Sequence, residues 1–459
     1  MLFSSLTFMC LFLPIFLIIY FALPRLRNLA LIAASLAFYA FGEPLWIIAL
    51  IFSGTVSYIG GRVIEQCAVA GRKSQARAAL VVSLALNLGL LVAFKYSAFL
   101  VETVNAVGGL SLAVPKLALP LGISFFTFQT LSYTLDVARG TVKAQRSAVK
   151  FFTYVTMFPQ LLAGPIVRYA DIETALTERS VTAQNLSDGI TRFVTGLAKK
   201  VLLANAAGSA VTALLAPNLR QTVLGNWLGI IFYSFQLYFD FSGYSDMALG
   251  LAKMLGFDFK ENFNYPYIAQ SITDFWRRWH ISLSSFFRDY VYIPLGGNRR
   301  HQLVNLLVVW LLTGLWHGAS WNFILWGAYY GAVLILEKFV LKRVLDRVPR
   351  AVRHVYSLAV IIIGWAIFYF TDFAQLAAFF KVAFGGAPLS DFRAISTLTA
   401  NLFLLIALIV AATPLPKLAA QKLRSHAAIL EPLRNTALLL VCFAMLVGQS
   451  YSPFLYFRF

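Results

Sequence analysis

Long apolar stretches, separated by short basic or polar segments, run along nearly the whole chain of 459 residues. They cover about 3–23, 29–41, 45–60, 78–100, 151–166, 197–215, 223–251, 303–336, 356–370, 394–412 and 436–451. A helix needs about 20 apolar residues to cross the roughly 30 Å hydrocarbon core of a bilayer, and several of these stretches are short or interrupted. The pattern predicts an all-α, polytopic membrane protein with roughly 10–12 transmembrane helices plus re-entrant segments. No internal repeat or low-complexity linker divides it, so the expected organisation is a single membrane domain over residues 1–459. Inverted-repeat transporters are built from two matching halves, which this chain does not display.

One stretch constrains the topology further. Between Arg300 and Glu337 there are 36 residues without Asp, Glu, Lys or Arg. As one straight helix they would extend about 54 Å, far more than the bilayer core. Both flanks are basic, with Arg299 and Arg300 before and Lys338 and Lys342 after. The stretch is therefore expected to fold back as a helical hairpin with both ends in the cytoplasm. The small and polar residues of Thr313-Gly-Leu-Trp-His-Gly-Ala-Ser320 mark the break. His317 then falls near the turn, deep in or beyond the middle of the membrane.

Composition agrees with that placement: 59% of residues are hydrophobic and 12% charged, against about 25% charged in soluble domains. A water-soluble enzyme is excluded. Lys and Arg number 38 against 19 Asp and Glu, a net charge of +19. The basic residues sit between apolar spans, in segments 62–77, 139–150 and 338–353, so they imply positive-inside topology and anionic membrane lipids, not nucleic acid. Cys10, Cys67 and Cys442 lie far apart and offer no disulfide or metal framework. Residues 2–23 lack a preceding basic residue and a small-residue cleavage site, and read as a retained first helix.

Five histidines are present: His280, His301, His317, His354 and His426. A titratable side chain within a span is costly, which makes function the default reading for His317; an interhelical hydrogen bond is the competing one. His301, His354 and His426 adjoin charged loops and read as interfacial. His280 follows Asp274-Phe-Trp-Arg-Arg-Trp and precedes Ile-Ser-Leu-Ser-Ser-Phe-Phe-Arg288-Asp289. That alternation of aromatic and basic residues suits a headgroup-level or re-entrant segment. Arg277, Arg278 and Arg288 are candidates for binding the phosphates of a cofactor-like donor, with Asp274 and Asp289 available to neutralise them. Around Asp240, the run Tyr238-Phe-Asp-Phe-Ser-Gly-Tyr-Ser-Asp246 suggests a polar cavity, a helix break or a hydrogen-bonded packing motif. H-E-x-x-H, G-x-x-x-x-G-K-[ST] and G-x-S-x-G are absent.

Several of these segments, with Leu119-Pro-Leu-Gly-Ile-Ser-Phe-Phe-Thr-Phe-Gln129, Ala163-Gly-Pro-Ile-Val-Arg168 and Glu261-Asn-Phe-Asn264, give the chain a family likeness. It resembles the membrane-bound O-acyltransferase family, in the branch that modifies alginate, teichoic acid and peptidoglycan. The strongest matches are Asp274–Gly297 and Leu315-Trp-His-Gly-Ala-Ser-Trp-Asn-Phe-Ile-Leu-Trp326-Gly. The likeness covers about 40–340, while 341–459 reads as generic membrane helix. The resemblance implies a central tunnel, with His317 as the essential histidine and His280 as a second polar catalytic position. It also implies acetyl-CoA as acyl-donor substrate, with no permanently bound cofactor. The expected activity is O-acetylation of an exopolysaccharide (alginate or cellulose-like) or of peptidoglycan, from the bacterial inner membrane. The expected partners are a periplasmic acetyltransferase and a polysaccharide biosynthesis complex. The rival expectation is a transporter or flippase whose histidines line a permeation path.

Overall fold

The computed structural model describes residues 1–216, 219–422, 427–448 and 454–455. Among these, every extended regular element is a helix. Five helices are long and apolar enough to cross a membrane: Ile47–Val69, Lys73–Gly108, Trp321–Leu345, Arg350–Tyr369 and Ile429–Val447. Two bent pairs, Phe8–Ala22 with Pro24–Ala40 and Phe392–Ala400 with Leu402–Ala411, raise the number to seven if each is one span. The first pair turns by 107° at Leu23–Pro24, where the proline ring cannot continue the preceding helix. Other apolar stretches of the sequence fold as shorter or polar-interrupted helices. The 151–166 stretch, for example, divides into Ala148–Thr156 and Phe158–Leu161 and then leaves helix altogether. The protein is thus an all-α, multi-pass membrane protein.

The helices cluster into two compact units, one of residues 1–193 and 247–260, the other of 194–246 and 261–459. In the first unit Ile47–Val69, Lys73–Leu91 and Ile123–Ala138 pack side by side. Their small residues permit close approach: a Cβ on Gly60 would press on Ser83, and one on Gly61 on the Tyr133 ring. Phe3, Phe8, Phe38 and Phe158 form a buried aromatic cluster nearby.

In the second unit the charge-free stretch is a hairpin, as its length requires. Gln302–His317 runs inward, Gly318–Ser320 turns, and Trp321–Leu336 returns. The arms touch backbone to backbone, since a Cβ at Gly314 would collide with the Phe323 carbonyl and one at Gly327 with the Trp310 carbonyl. Lys338 Nζ donates to Asn298 Oδ1 at 3.0 Å. Residues before the first arm and after the second therefore meet at one level, and a single crossing is excluded.

The Asp240 region is an uninterrupted part of helix Val223–Met254, so of the three readings open for it the helix break is excluded. Asp240 pairs with Lys200 at 2.5 Å, both buried, and Asp246 with Lys199 at 2.7 Å. The two lysines open a π-helical segment, Lys199–Ala204.

Candidate functional site

Two short helices, Ile272–Arg278 and Ile281–Phe287, lie against the hairpin and flank His280. The first is capped twice. Ser271 Oγ accepts from the Asp274 amide at 3.0 Å. The buried Glu337 carboxylate accepts from the amides of Ile272 (2.5 Å) and Thr273 (2.9 Å), and from the Thr273 hydroxyl at 2.9 Å. These bonds satisfy the exposed N–H groups of the first turn and tie the helix to the second arm of the hairpin.

Between the two helices the chain reverses at His280, whose φ of 44° and ψ of 54° lie in the left-handed region. A non-glycine residue there costs about 1–3 kcal/mol and persists only when the surroundings dictate it. Here segment 261–264 dictates it. The Ile281 amide donates to the Asn262 carbonyl at 3.0 Å, and the Asn264 amide to the Arg278 carbonyl at 2.9 Å. The imidazole is buried between Phe241 and Trp316, with ring centroids at 4.7 and 5.7 Å. Its Nδ1 lies 3.1 Å from Asn262 Oδ1. His280 sits outside the helices long enough to span a membrane, and burial pushes its pKa far below the usual imidazole range.

His317 ends the first arm. Its buried ring is held edge-to-face by Trp316, Trp326 and Phe368, with centroids at 5.1, 5.0 and 5.3 Å. An aromatic cage of this kind fixes the plane of the imidazole. His280 and His317 line one cavity of about 280 Å³ together with Trp276, Thr313, Arg288 and Lys338. Both histidines occupy its buried walls. Exposed Arg288 and Lys338, with Tyr292 and Asn298, form its rim. Tyr292 OH donates to Asn298 Oδ1 at 2.8 Å, and Gln302 Nε2 donates to the same oxygen. Arg288 and Lys338 each lie in a π-helical turn, Arg288–Tyr292 and Glu337–Leu341, whose extra residue re-aims side chains that a regular helix would place elsewhere.

Of the residues singled out from sequence, His317, His280 and Arg288 thus meet at one cavity. Arg277 is exposed and does not line it, and Arg278 is bound to Asp274 at 2.8 Å. Arg288 likewise pairs with Asp289, at 2.6 Å, yet remains at the rim. His301 is exposed before the first arm, His354 Nδ1 donates to the Ala269 carbonyl at 3.2 Å, and His426 lies outside the described residues. Lys338, read only as a flank of the charge-free stretch, and Asn262, quoted only within the family likeness, were not named as site residues. Lys338 carries a legible signal, as the first cation after the charge-free stretch, where a hairpin must return to its level of entry. For Asn262 the signal is its place in the Glu261–Asn264 segment of the family likeness, which does not report its pairing with His280.

The comparisons with known proteins give the family. Residues 115–380 match the model of the membrane-bound O-acyltransferase family. The chain belongs to that family. It is 39% identical to the probable alginate O-acetylase AlgI of Azotobacter vinelandii over 508 aligned residues, which cover all of both chains. It is 42% identical to the probable alginate O-acetylase AlgI of Pseudomonas aeruginosa over 380 residues, 80% of this chain and 72% of that protein. The peptidoglycan O-acetyltransferase of Helicobacter pylori is 35% identical over 374 residues, covering 74% of this chain and 70% of the relative. As a member of this family the chain is an O-acyltransferase, and the match includes both histidine-bearing segments.

Proposed function

We propose that this protein is an O-acetyltransferase of the bacterial inner membrane. In this reading it takes acetyl groups from acetyl-CoA on the cytoplasmic side and passes them across the membrane. A periplasmic partner acetyltransferase then completes the O-acetylation of an exopolysaccharide, with alginate the first choice of polymer. The observation that carries the reading is the single cavity with two imidazoles at its inner walls and two cations at its rim. A cationic rim suits the phosphates of the donor, while its narrow pantetheine arm reaches inward with the thioester. The alginate O-acetylase relatives, aligned over the whole chain or most of it, favour the polymer.

His317 serves as general base. A hydroxyl must lose its proton as its oxygen attacks the acyl carbon, and a neutral imidazole within hydrogen-bond reach accepts that proton. The carbon–oxygen bond forms, the carbon–sulfur bond breaks, and the proton passes to the departing thiolate. A thioester is already activated, so the residues required are a base, a partner that orients it, and walls that exclude water. The two histidines and their aromatic surround supply these roles.

The test is transfer from radiolabelled acetyl-CoA by the purified protein in proteoliposomes, with the periplasmic partner and polymer supplied in the lumen. Transfer by the wild type, lost in His317→Ala that inserts normally, is the expected result. Equal transfer by both proteins would overturn the reading.

A further inference from the structure

The hydrogen bonds around Asn262 determine where the proton of His280 resides. Asn262 Oδ1 lies 3.2 Å from the Ser282 amide nitrogen. A backbone N–H only donates, so the Asn262 atom facing it is the carbonyl oxygen. Asn262 Nδ2, at the other end of the amide, donates to Ser245 Oγ at 3.2 Å. The Ser282 hydroxyl adds a further bond to Asn262 Oδ1 at 2.9 Å. The amide is therefore held at both ends, and His280 Nδ1, 3.1 Å from the same oxygen, must carry a hydrogen to be there. Ser282 Oγ, which donates to Asn262 Oδ1, also lies 3.4 Å from Nδ1.

We infer that Asn262 is a positioning residue that holds His280 as the neutral Nδ1–H tautomer and so makes Nε2, on the opposite edge of the ring, its acceptor nitrogen. In water the Nε2–H tautomer predominates, so the environment is selecting the minority form. It does so with groups from three places in the chain: Ser245 on helix Val223–Met254, Asn262 in the 261–264 segment, and Ser282 on helix Ile281–Phe287. The left-handed backbone of His280 belongs to the same device. The Ile281 amide bonds the Asn262 carbonyl, so the backbone and side chain of Asn262 grip Ile281 and Ser282, the two residues that follow the turn at His280.

The Nδ1–H assignment stands on these bonds and the neutral ring on its burial; the catalytic consequence rests on the acyl-transfer reading above. A histidine fixed in this form cannot polarise a thioester carbonyl by donating from Nε2. It acts as an acceptor, taking a proton or aligning a donor group for His317. Asn262 contributes through His280, without contact to substrate, in the manner of the group that fixes the base of a hydrolytic triad.

The decisive experiment is solid-state ¹⁵N NMR of the full-length protein, labelled at histidine, in lipid bilayers at neutral pH. The His280 signals are assigned by their loss in His280→Gln. The expected spectrum has a protonated Nδ1 and a bare Nε2 for His280, and Asn262→Asp, which keeps an acceptor oxygen, preserves the Nδ1–H form. Asn262→Leu, of similar size but without an acceptor, moves the ring toward Nε2–H. A wild-type His280 with a protonated Nε2 overturns the inference outright, and an unchanged tautomer in Asn262→Leu overturns the role of Asn262. If Asn262→Leu does not yield monodisperse protein, Asn262→Ala replaces it with the same two outcomes, and the wild-type spectrum decides by itself. In the acetyl-transfer assay Asn262→Leu lowers kcat by about 10-fold with KM for acetyl-CoA unchanged, no more than the loss of His280 itself, and Asn262→Asp recovers most of it. A loss confined to KM would overturn the positioning role. The expected tautomer in a protein that transfers no acetyl group would count against the acyl-transfer reading and not against the tautomer.

Discussion

Two asparagines, one in each compact unit, sit at the centre of hydroxyl clusters, and they put the same chemistry to different ends. In the first unit Asn87 Oδ1 accepts from Ser53 Oγ at 2.5 Å, while its Nδ2 donates to Ser57 Oγ at 3.1 Å and to the Ser83 carbonyl at 2.9 Å. Ser53 Oγ also meets Thr130 Oγ1 at 3.2 Å. These bonds link three regular helices, and no titratable group takes part. In the second unit Asn262 again binds serines at both ends of its amide, but the remaining bond goes to an imidazole in a strained turn on a cavity wall. A buried polar cluster in a membrane protein is therefore not by itself a sign of function. The distinguishing feature is where its last hydrogen bond goes. A network that closes on hydroxyls and carbonyls holds helices together; one that ends on a titratable ring fixes a proton.

The contrast is tested most severely at the histidines. His317→Ala is expected to reduce acetyl transfer by about 10²–10⁴-fold, the usual cost of a lost general base, with expression and membrane insertion unchanged. Quantifying polymer-bound acetate against the amount of inserted protein checks it, and wild-type acetylation would exclude His317 from the chemistry. His280→Ala is expected to cost less, about 10–10²-fold, because the base remains and only its partner is gone. The loss should still exceed that in His301→Ala, His354→Ala or His426→Ala. Full activity in His280→Ala beside a defect in one of those three would break the pairing of the two cavity histidines.

The hairpin was legible from sequence for a simple geometric reason: an apolar run too long to cross once, between two basic flanks, must return. His317 was legible with it, as the one titratable residue near the turn. His280 was legible in part, through the Trp-Arg-Arg-Trp-His run and the family resemblance. Its conformation was not, because a left-handed histidine is dictated by a partner segment whose pairing no periodicity reports. The arginines were the least legible. Arg277 follows Trp276 by one helical position, about 100° around the axis, so when Trp276 faces the cavity Arg277 faces away. Arg278 lies four residues from Asp274 and is drawn to it. Only Arg288, re-aimed by a π-helical turn, reaches the rim.

That rim supplies the next effect in size. Replacing Arg288 and Lys338 together by glutamine is expected to raise KM for acetyl-CoA by about 10-fold, with kcat little changed. Two charge-assisted contacts are lost, each weakened by solvent exposure and salt. Initial rates at two ionic strengths check this, since the wild-type KM should rise with salt more steeply than that of the double variant. A fall in kcat at unchanged KM would place the donor phosphates elsewhere. The side of the membrane is checked separately, by single cysteines at Asn298 and Leu341 after the native cysteines are replaced. Both should resist a membrane-impermeant thiol reagent in intact spheroplasts.

The smallest effect on catalysis belongs to the other asparagine. Asn87→Leu makes the same substitution as the Asn262→Leu test, in a cluster that has hydroxyls but no histidine. It removes the bonds to Ser53 and Ser57 and leaves their hydroxyls to find other partners. Serine hydroxyls in helices can turn back to the carbonyl of the preceding turn, as Thr130 Oγ1 already does toward Phe126 at 3.0 Å. Most of the loss is thereby recovered. Interhelical hydrogen bonds in membranes are worth about 0.6 kcal/mol on average and up to about 1.7, so a drop of about 1 kcal/mol in stability is the expected size. It would be read as a modest fall in the thermal midpoint of the detergent-solubilised protein. Activity per folded molecule should stay within about two-fold, since no titratable group takes part in the Asn87 hydrogen bonds. The measurement compares Asn87→Leu and Asn262→Leu at matched amounts of monodisperse protein, in both thermal midpoint and kcat. If Asn87→Leu lowered kcat as much as Asn262→Leu does, the two clusters would be alike in kind, and the distinction between holding helices and holding a proton would fall.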